Sequence, residues 1–260
     1  MDEFDNPPPI QQIVPAATAV IFRKGPAGGA PELLMVQRTR EMRFAANAAV
    51  FPGGRVDPAD RVLAAALAPH ADAELAAARI AAIRETLEET GLAVSLRAPV
   101  AAEEAAAARA LLIEQGELAA VLDRFGWQLD LDSLVPFARW CPRELERPFD
   151  TFFFLADLGT GEVDITVDAT ENSRLFWLSA AEALHRAETG ELHVIFPTRR
   201  NLERLAQFAS FAEARAHAEA IPVRTISPTA QLRDGERWLT IPEGLGYPVT
   251  SEPLSRAMRG

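Results

Sequence analysis

The nine residues Arg84-Glu85-Thr86-Leu87-Glu88-Glu89-Thr90-Gly91-Leu92 constrain this chain more than any other stretch. An alanine-rich lead-in from Ala73 and a stop at Gly91 predict a helix that ends there. At about 100° per residue, Glu85, Glu88 and Glu89 fall in one narrow sector, while Ala76, Ile80, Ile83 and Leu87 collect on the opposite side. One face is built for burial and the other presents three carboxylates within a turn of each other. Like charges at i, i+3 and i+4 repel, and a helix C-terminus is itself unfavourable for negative charge. A divalent cation would relieve the repulsion, because hard ions take several oxygen ligands. Taken alone, the trio reads better as a solvated acidic face, so the residues upstream decide the matter.

Val50-Phe51-Pro52-Gly53-Gly54 reads as the end of a strand running into a double-glycine turn, where backbone can approach an ion or a phosphate closely. Together the two stretches resemble the Nudix hydrolase box. That pattern is a glycine, five residues, a glutamate, seven residues, then Arg-Glu-apolar-x-Glu-Glu-x-Gly-apolar. Its second half is matched from Arg84 to Leu92, with Thr86 at the first apolar place. Its first half is not. Between Gly54 and Arg84 lie 29 residues where the pattern allows 13, and the position eight before Arg84 is Ala76 in place of glutamate. In the family that glutamate pairs with the box arginine, so Arg84 needs another partner, with Glu74 or a residue of the insertion as the alternatives.

The resemblance implies an α+β chain with the Nudix fold, an α/β/α sandwich around a mixed β-sheet, carrying helical insertions. It implies a Mg2+ or Mn2+ ion held by Glu85, Glu88, Glu89 and the Gly54 carbonyl, and attack of water on a diphosphate that links a nucleoside to another group. Arg84 would serve this site, and the general base would be a box glutamate or a carboxylate from a distant loop. Glu171, before the Phe176-Trp177-Leu178 strand, lies where many Nudix proteins place such a glutamate, although a surface turn explains it equally well.

A second resemblance bears on the substrate. Leu34 to Thr39, then Arg43, Asn47 and Phe51-Pro52-Gly53-Gly54, is similar to the signature preceding the box in coenzyme A diphosphatases. Val36, Thr39 and Asn47 depart from its Thr, Ser and Gly, and Asn tolerates positive φ better than most residues. Arg38 and Arg43 offer forked donors suited to phosphate, and Phe51 and Gly53 complete the expected substrate contacts. The substrate class implied is a small nucleoside-diphosphate-linked molecule, with coenzyme A or acyl-coenzyme A first. The rivals are an ADP-ribose or dinucleotide diphosphatase and a non-catalytic Nudix-fold regulatory domain.

The net charge of −11 argues against nucleic-acid or anionic-membrane partners. Cys141 stands alone, which fits a reducing compartment. The start lacks the basic and apolar regions of a secretion signal, and no apolar run reaches spanning length. A cytoplasmic enzyme is therefore expected. Many Nudix enzymes dimerise, and these residues decide nothing for or against a homodimer.

The expected organisation is a flexible arm over 1–12, a Nudix domain over 13–220 with insertions at 55–72 and 101–125, and an extended tail over 221–260 packed on it. Strands are expected at Pro15 to Phe22, Glu32 to Arg38, around Val50, Leu92 to Leu96, Leu134 to Trp140, Phe149 to Leu158 and within Val163 to Leu178. A short helix is expected around Arg61 to Ala68, Asp72 as the cap of the box helix, and two helices broken at Gly116. Ser179-Ala180-Ala181-Glu182 and Ser210-Phe211-Ala212-Glu213 have capping-box spacing. The four histidines show no ligand spacing, so zinc is not expected. Trp140 and Trp177 are the aromatics expected nearest a base.

Overall fold

The computed structural model describes residues 12–39, 47–158 and 172–257. The chain begins with β1 (Val14–Arg23), followed by β2 (Glu32–Arg38), β3 (Ala49–Val50) and β4 (Gly53–Arg55). Helices α1 (Pro58–Leu67), α2 (Ala73–Thr90), α3 (Ala102–Gln115) and α4 (Leu118–Phe125) come next. Strands β5 (Val135–Trp140), β6 (Phe149–Asp157) and β7 (Asn172–Ser179) lead into α5 (Ala180–Glu188), α6 (Phe196–Leu205) and α7 (Phe211–Ala220). The final elements are β8 (Thr225–Ile226), β9 (Thr229–Arg233), β10 (Glu236–Thr240), β11 (Ser251–Pro253) and α8 (Leu254–Ala257).

Among the described residues one mixed sheet runs β3-β2-β1-β6-β5-β8, with β4 also paired to β1 and β7 to β2. β1 lies parallel to β6 and β5 parallel to β8, while the other pairs of this sheet are antiparallel. The period-two alternation of a strand sends Ala17, Ala19 and Ile21 of β1 to one face and Val20 and Phe22 to the other. The first face is covered by α1 to α4 and the second by α5 to α7 with Ile241, Leu245 and Tyr247. This is the expected α/β/α sandwich. Phe153 to Ala156 of β6 are buried on both faces, which is why that stretch shows no apolar–polar alternation.

Helix α2 sits close to the sheet because its inner surface is built of Ala76, Ala77, Ala81 and Ala82 around Ile80, Ile83 and Leu87. Each of the three larger side chains contributes about 1.5–3 kcal/mol by leaving water. Asp72 caps the helix by accepting from the Leu75 N–H at 2.8 Å, and Gly91 closes it in the left-handed conformation at φ 76°. Ser179 and Ser210 likewise accept from Glu182 and Glu213, and Gly116 separates α3 from α4. The expected strand over Leu92 to Leu96 is absent. Leu96 makes a single bridge to Leu129, Ser95 turns at φ 58°, and the segment bonds the 128–130 loop in place of the sheet.

Candidate active site

The site is built where α2 passes β4. β4 pairs antiparallel with β1, so Gly53 and Gly54 lie beside Thr18 and Ala17. A Cβ on Gly53 would fall on the backbone of Ala17 and Thr18, and one on Gly54 would fall on the Glu85 carboxylate. Glycine is needed at both positions for this close approach. The Gly53 N–H donates to Glu89 Oε2 at 2.9 Å, which joins the turn to the helix. The acidic face is thereby covered to different depths: Glu89 is 5 % exposed, the Glu85 side chain 16 % and the Glu88 side chain 37 %.

Arg84 is the hub. Nε donates to Asp60 Oδ1 at 2.9 Å, and Nη2 donates to Asp60 Oδ2 at 3.0 Å and to the Arg55 carbonyl at 2.8 Å. Nη1 donates to Glu85 at 3.0 Å and Glu88 at 3.4 Å, which uses all five guanidinium N–H groups. Burial works against its charge, but the bonds to Asp60 and the fields of Glu85, Asp60 and Asp57 outweigh it and raise its pKa. The partner left open by the sequence is therefore Asp60 on the insertion helix α1. Ala76, at the box glutamate's place, is buried in the core. It lies eight residues up α2 from Arg84, about 12 Å along the axis, too far for a side chain there to replace Asp60.

Burial pushes the Glu85 carboxyl up to about 7, with the charge of Arg84 opposing and that of Glu88 adding. Around one arginine stand the carboxylates of Asp57, Asp60, Glu85 and Glu88, an excess of negative charge taken partly out of water. Among the described residues no three His, Cys, Asp or Glu side chains form a ready-made metal cage. The fit to a hard divalent ion lies in the chemistry of the donors: carboxylate and carbonyl oxygens only, more carboxylates than the one arginine among them, beside a glycine that leaves room at Glu85.

The structure thus brings Gly53, Gly54, Arg84, Glu85, Glu88 and Glu89 together. Phe51 is not among them. Its side chain is buried in the core with Phe22 and Met35 beneath the glycine turn. Arg38 ends β2, and its buried Nε has no hydrogen-bond partner among the described residues. Arg43 and Glu171 lie outside the described residues. The chain leaves for the first of these segments after Thr39 and returns from the second at Asn172, and Arg38 and Asn172 are paired across β2 and β7. Asn47 takes φ 59°, the positive value anticipated where the coenzyme A signature has glycine.

Trp140 belongs to the core in place of the site. It is buried, edge-on to Phe196 and Tyr247, and its Nε1–H donates to the Tyr247 hydroxyl at 3.1 Å. Trp177 is half-buried with the Arg23 guanidinium 4.4 Å from its ring centre. Sequence reasoning also missed Asp57 and Asp60 as parts of the site. Their signal was the Asp-x-x-Asp spacing at the head of α1, where Asp60 accepts from the Asp57 N–H at 2.9 Å.

A carboxylate-bearing helix packed on a glycine turn, within an α/β/α sandwich, defines a class of diphosphate-cleaving hydrolases. No family model matches the chain. A crystal structure of a NUDIX hydrolase from Alicyclobacillus acidocaldarius is similar at 30 % identity and a TM-score of 0.67, covering 80 % of this chain and 97 % of that one. The Gallus gallus protein named acyl-coenzyme A diphosphatase NUDT19 is 27 % identical over 266 residues, covering 81 % of this chain and 68 % of that one. The chain belongs to the Nudix hydrolase family and is a hydrolase of diphosphate bonds. Nudix hydrolases generally use divalent metals. Among the described residues no helix is long and apolar enough to cross a membrane.

Proposed function

We propose that this hydrolase cleaves the diphosphate of coenzyme A or acyl-coenzyme A, giving 3′,5′-ADP and 4′-phosphopantetheine or its acyl form. The observation that carries the substrate reading is the likeness to the Gallus gallus acyl-coenzyme A diphosphatase along 81 % of the chain. The left-handed Asn47, in register between Arg38 and the Phe51-to-Gly54 turn, supports it.

In this reading Glu85, Glu88, Glu89 and the Gly54 carbonyl hold Mg2+ or Mn2+. The bound ion supplies charge neutralisation at the phosphates and an acidified water. Arg84 holds Glu85 and Glu88 in place and is itself held by Asp60. The Gly53 N–H fixes one oxygen of Glu89. Arg38 and Arg43 donate to the substrate's phosphates, and Glu171 or a box glutamate takes the proton of the attacking water. Water adds to one phosphorus, the bridging P–O bond breaks, and the leaving phosphate departs on that oxygen. Cys141 is a buried free thiol, consistent with action in the cytoplasm.

The test is product release from coenzyme A, dephospho-coenzyme A, ADP-ribose and NADH with Mg2+ or Mn2+, beside the Glu88→Gln variant. Turnover of coenzyme A that is lost in the variant and weaker for dephospho-coenzyme A is the expected result. Equal turnover of dephospho-coenzyme A, or turnover of ADP-ribose alone, removes the coenzyme A assignment and leaves the metal site standing.

A further inference from the structure

Helix α2 ends in an electrostatically poor way. Its last two turns carry Glu85, Glu88 and Glu89, and its last turn has no basic residue of its own. The carbonyls of a final turn lack intrahelical partners and form the negative pole of the helix. The Gly91 N–H takes the Leu87 carbonyl at 2.9 Å, which leaves those of Glu88 and Glu89 to be met from elsewhere. Arg109 of α3 meets both: Nε donates to the Glu88 carbonyl at 2.8 Å and Nη2 to the Glu89 carbonyl at 3.5 Å.

The local sequence of α3 explains how it reaches. The buried stripe of that helix is Ala105, Ala108 and Leu112. Small residues at a helix contact let the axes come close, and Arg109 lies on the same side, four residues after Ala105. The half-buried guanidinium therefore supplies the cation that α2 lacks, and its fork addresses two consecutive peptide groups. The residues bearing those carbonyls are held from the other side too, Glu89 by the Gly53 N–H and Glu88 by Arg84.

We propose that Arg109 is a positioning residue for the reaction, which fixes the backbone of Glu88 and Glu89 so that their carboxylates stay in register with Glu85 and Gly54. The inserted helix α3 then supports the site as α1 does: α1 sends Asp60 to Arg84, and α3 sends Arg109 to the opposite end of the same two turns. The metal part of this inference rests on the reading under Proposed function, and the backbone part does not.

The experiment compares the full chain with Arg109→Ala and Arg109→Lys. Amide hydrogen exchange is followed without metal, and Mn2+ binding is followed by electron paramagnetic resonance without substrate. In Arg109→Ala the Gly91 and Leu92 amides exchange about tenfold faster while those of Ile80 and Ile83 keep their rate. The Mn2+ concentration for half-saturation rises about tenfold, the scale expected when a group behind a metal ligand is lost. Arg109→Lys keeps the charge, loses the fork and recovers part of both effects, and it serves as the comparison if the alanine variant does not fold. Unchanged exchange at Gly91 and Leu92 overturns the proposal. So does faster exchange with unchanged Mn2+ affinity, which makes Arg109 a helix cap and nothing more. A wild-type chain that binds no Mn2+ overturns the metal reading and the positioning role that rests on it, and the exchange rates then test only the hold of Arg109 on the backbone.

Discussion

The two oxygens of Asp60 accept from Nε and Nη2 of Arg84 at 2.9 and 3.0 Å, tying together side chains that stand 24 residues apart. Asp60 is 2 % exposed, so removing Arg84 would strand a buried carboxylate, while removing Asp60 leaves Arg84 with Glu85, Glu88 and Asp57 but takes the acceptors of two of its N–H groups. Asp60→Ala is expected to cost about 1–3 kcal/mol, the range for buried donors left without their acceptor. Asp60→Asn, which keeps one acceptor, costs less. Urea unfolding and kcat/KM on the same preparations provide the check. Both variants lose activity, because Arg84 also holds Glu85 and Glu88. Adding Ala76→Glu does not rescue either one, since that side chain would enter the packed face of α2. Stability and activity both within error of wild type for Asp60→Asn would refute the assignment.

The two turn glycines should respond differently to a methyl group. At Gly53 the added carbon meets the backbone of Ala17 and Thr18, which β1 holds in a strand paired on both edges. At Gly54 it meets the Glu85 carboxylate, the far end of a side chain that can swing. Gly53→Ala is therefore expected to lose about 1–3 kcal/mol of stability by overpacking. Gly54→Ala is expected to remain within about 1 kcal/mol of wild type yet lose most of its turnover. Thermal unfolding and steady-state rates separate the two. A fully active Gly54→Ala enzyme would mean that the position of Glu85 against the turn has no catalytic consequence.

What could be read from the sequence was what depends on near neighbours. The spacing of Glu85, Glu88 and Glu89 and the stop at Gly91 are local, and they specify a helix end without knowledge of the rest. Asn47 was legible for the same reason, because its positive φ is a property of one residue. The partner of Arg84 was not legible, since Asp60 reaches it only after the insertion folds as a helix and returns along α2. Arg109 was hidden in an alanine-rich helix whose buried stripe looks like scaffold. Trp140 misled because a large aromatic at the end of a strand fits a binding pocket and a core equally well. Its Nε1–H is satisfied inside, by a tyrosine 107 residues away. The strand expected at Leu92 to Leu96 failed because an apolar run does not identify its partner, and a loop provided one first.

The raised pKa of Glu85 has a consequence for stability that depends on pH in a definite sense. Below the ordinary carboxylate value near 4.5, the folded and unfolded chains both carry the proton. Between there and about 7 the folded chain keeps a proton that the unfolded chain has shed, so stability falls as pH rises through that window. The loss from this group is on the order of 3 kcal/mol, and it is complete above the folded value. In a chelating buffer Glu85→Gln should lack this part of the slope and be more stable than wild type at pH 8. Adding Mn2+ at pH 8 should close the gap by stabilising the wild type alone. Urea melts at pH 5 and pH 8, with and without metal, measure all four quantities. A wild-type slope indistinguishable from that of the variant would show that Glu85 is not held protonated by burial.

On the face of the sheet opposite α2, the Tyr247 hydroxyl joins three segments. It donates to Asn201 Oδ1 on α6 at 2.7 Å and accepts from Trp140 Nε1 on β5 at 3.1 Å, with all three side chains buried. Tyr247→Phe keeps the ring and its edge contact with Trp140 but strands one buried donor and one buried acceptor. The expected cost is about 1–3 kcal/mol. Tyr247→Ala also removes the ring from the core and should cost about 3–5 kcal/mol. Because the sheet lies between this cluster and α2, kcat/KM at a temperature where each variant is folded should stay near wild type. Unfolding midpoints and rates measured together test that separation. A phenylalanine variant that keeps its stability but loses activity would mean that the C-terminal segment communicates with the carboxylate helix through the sheet, which the separate packing of the two faces argues against.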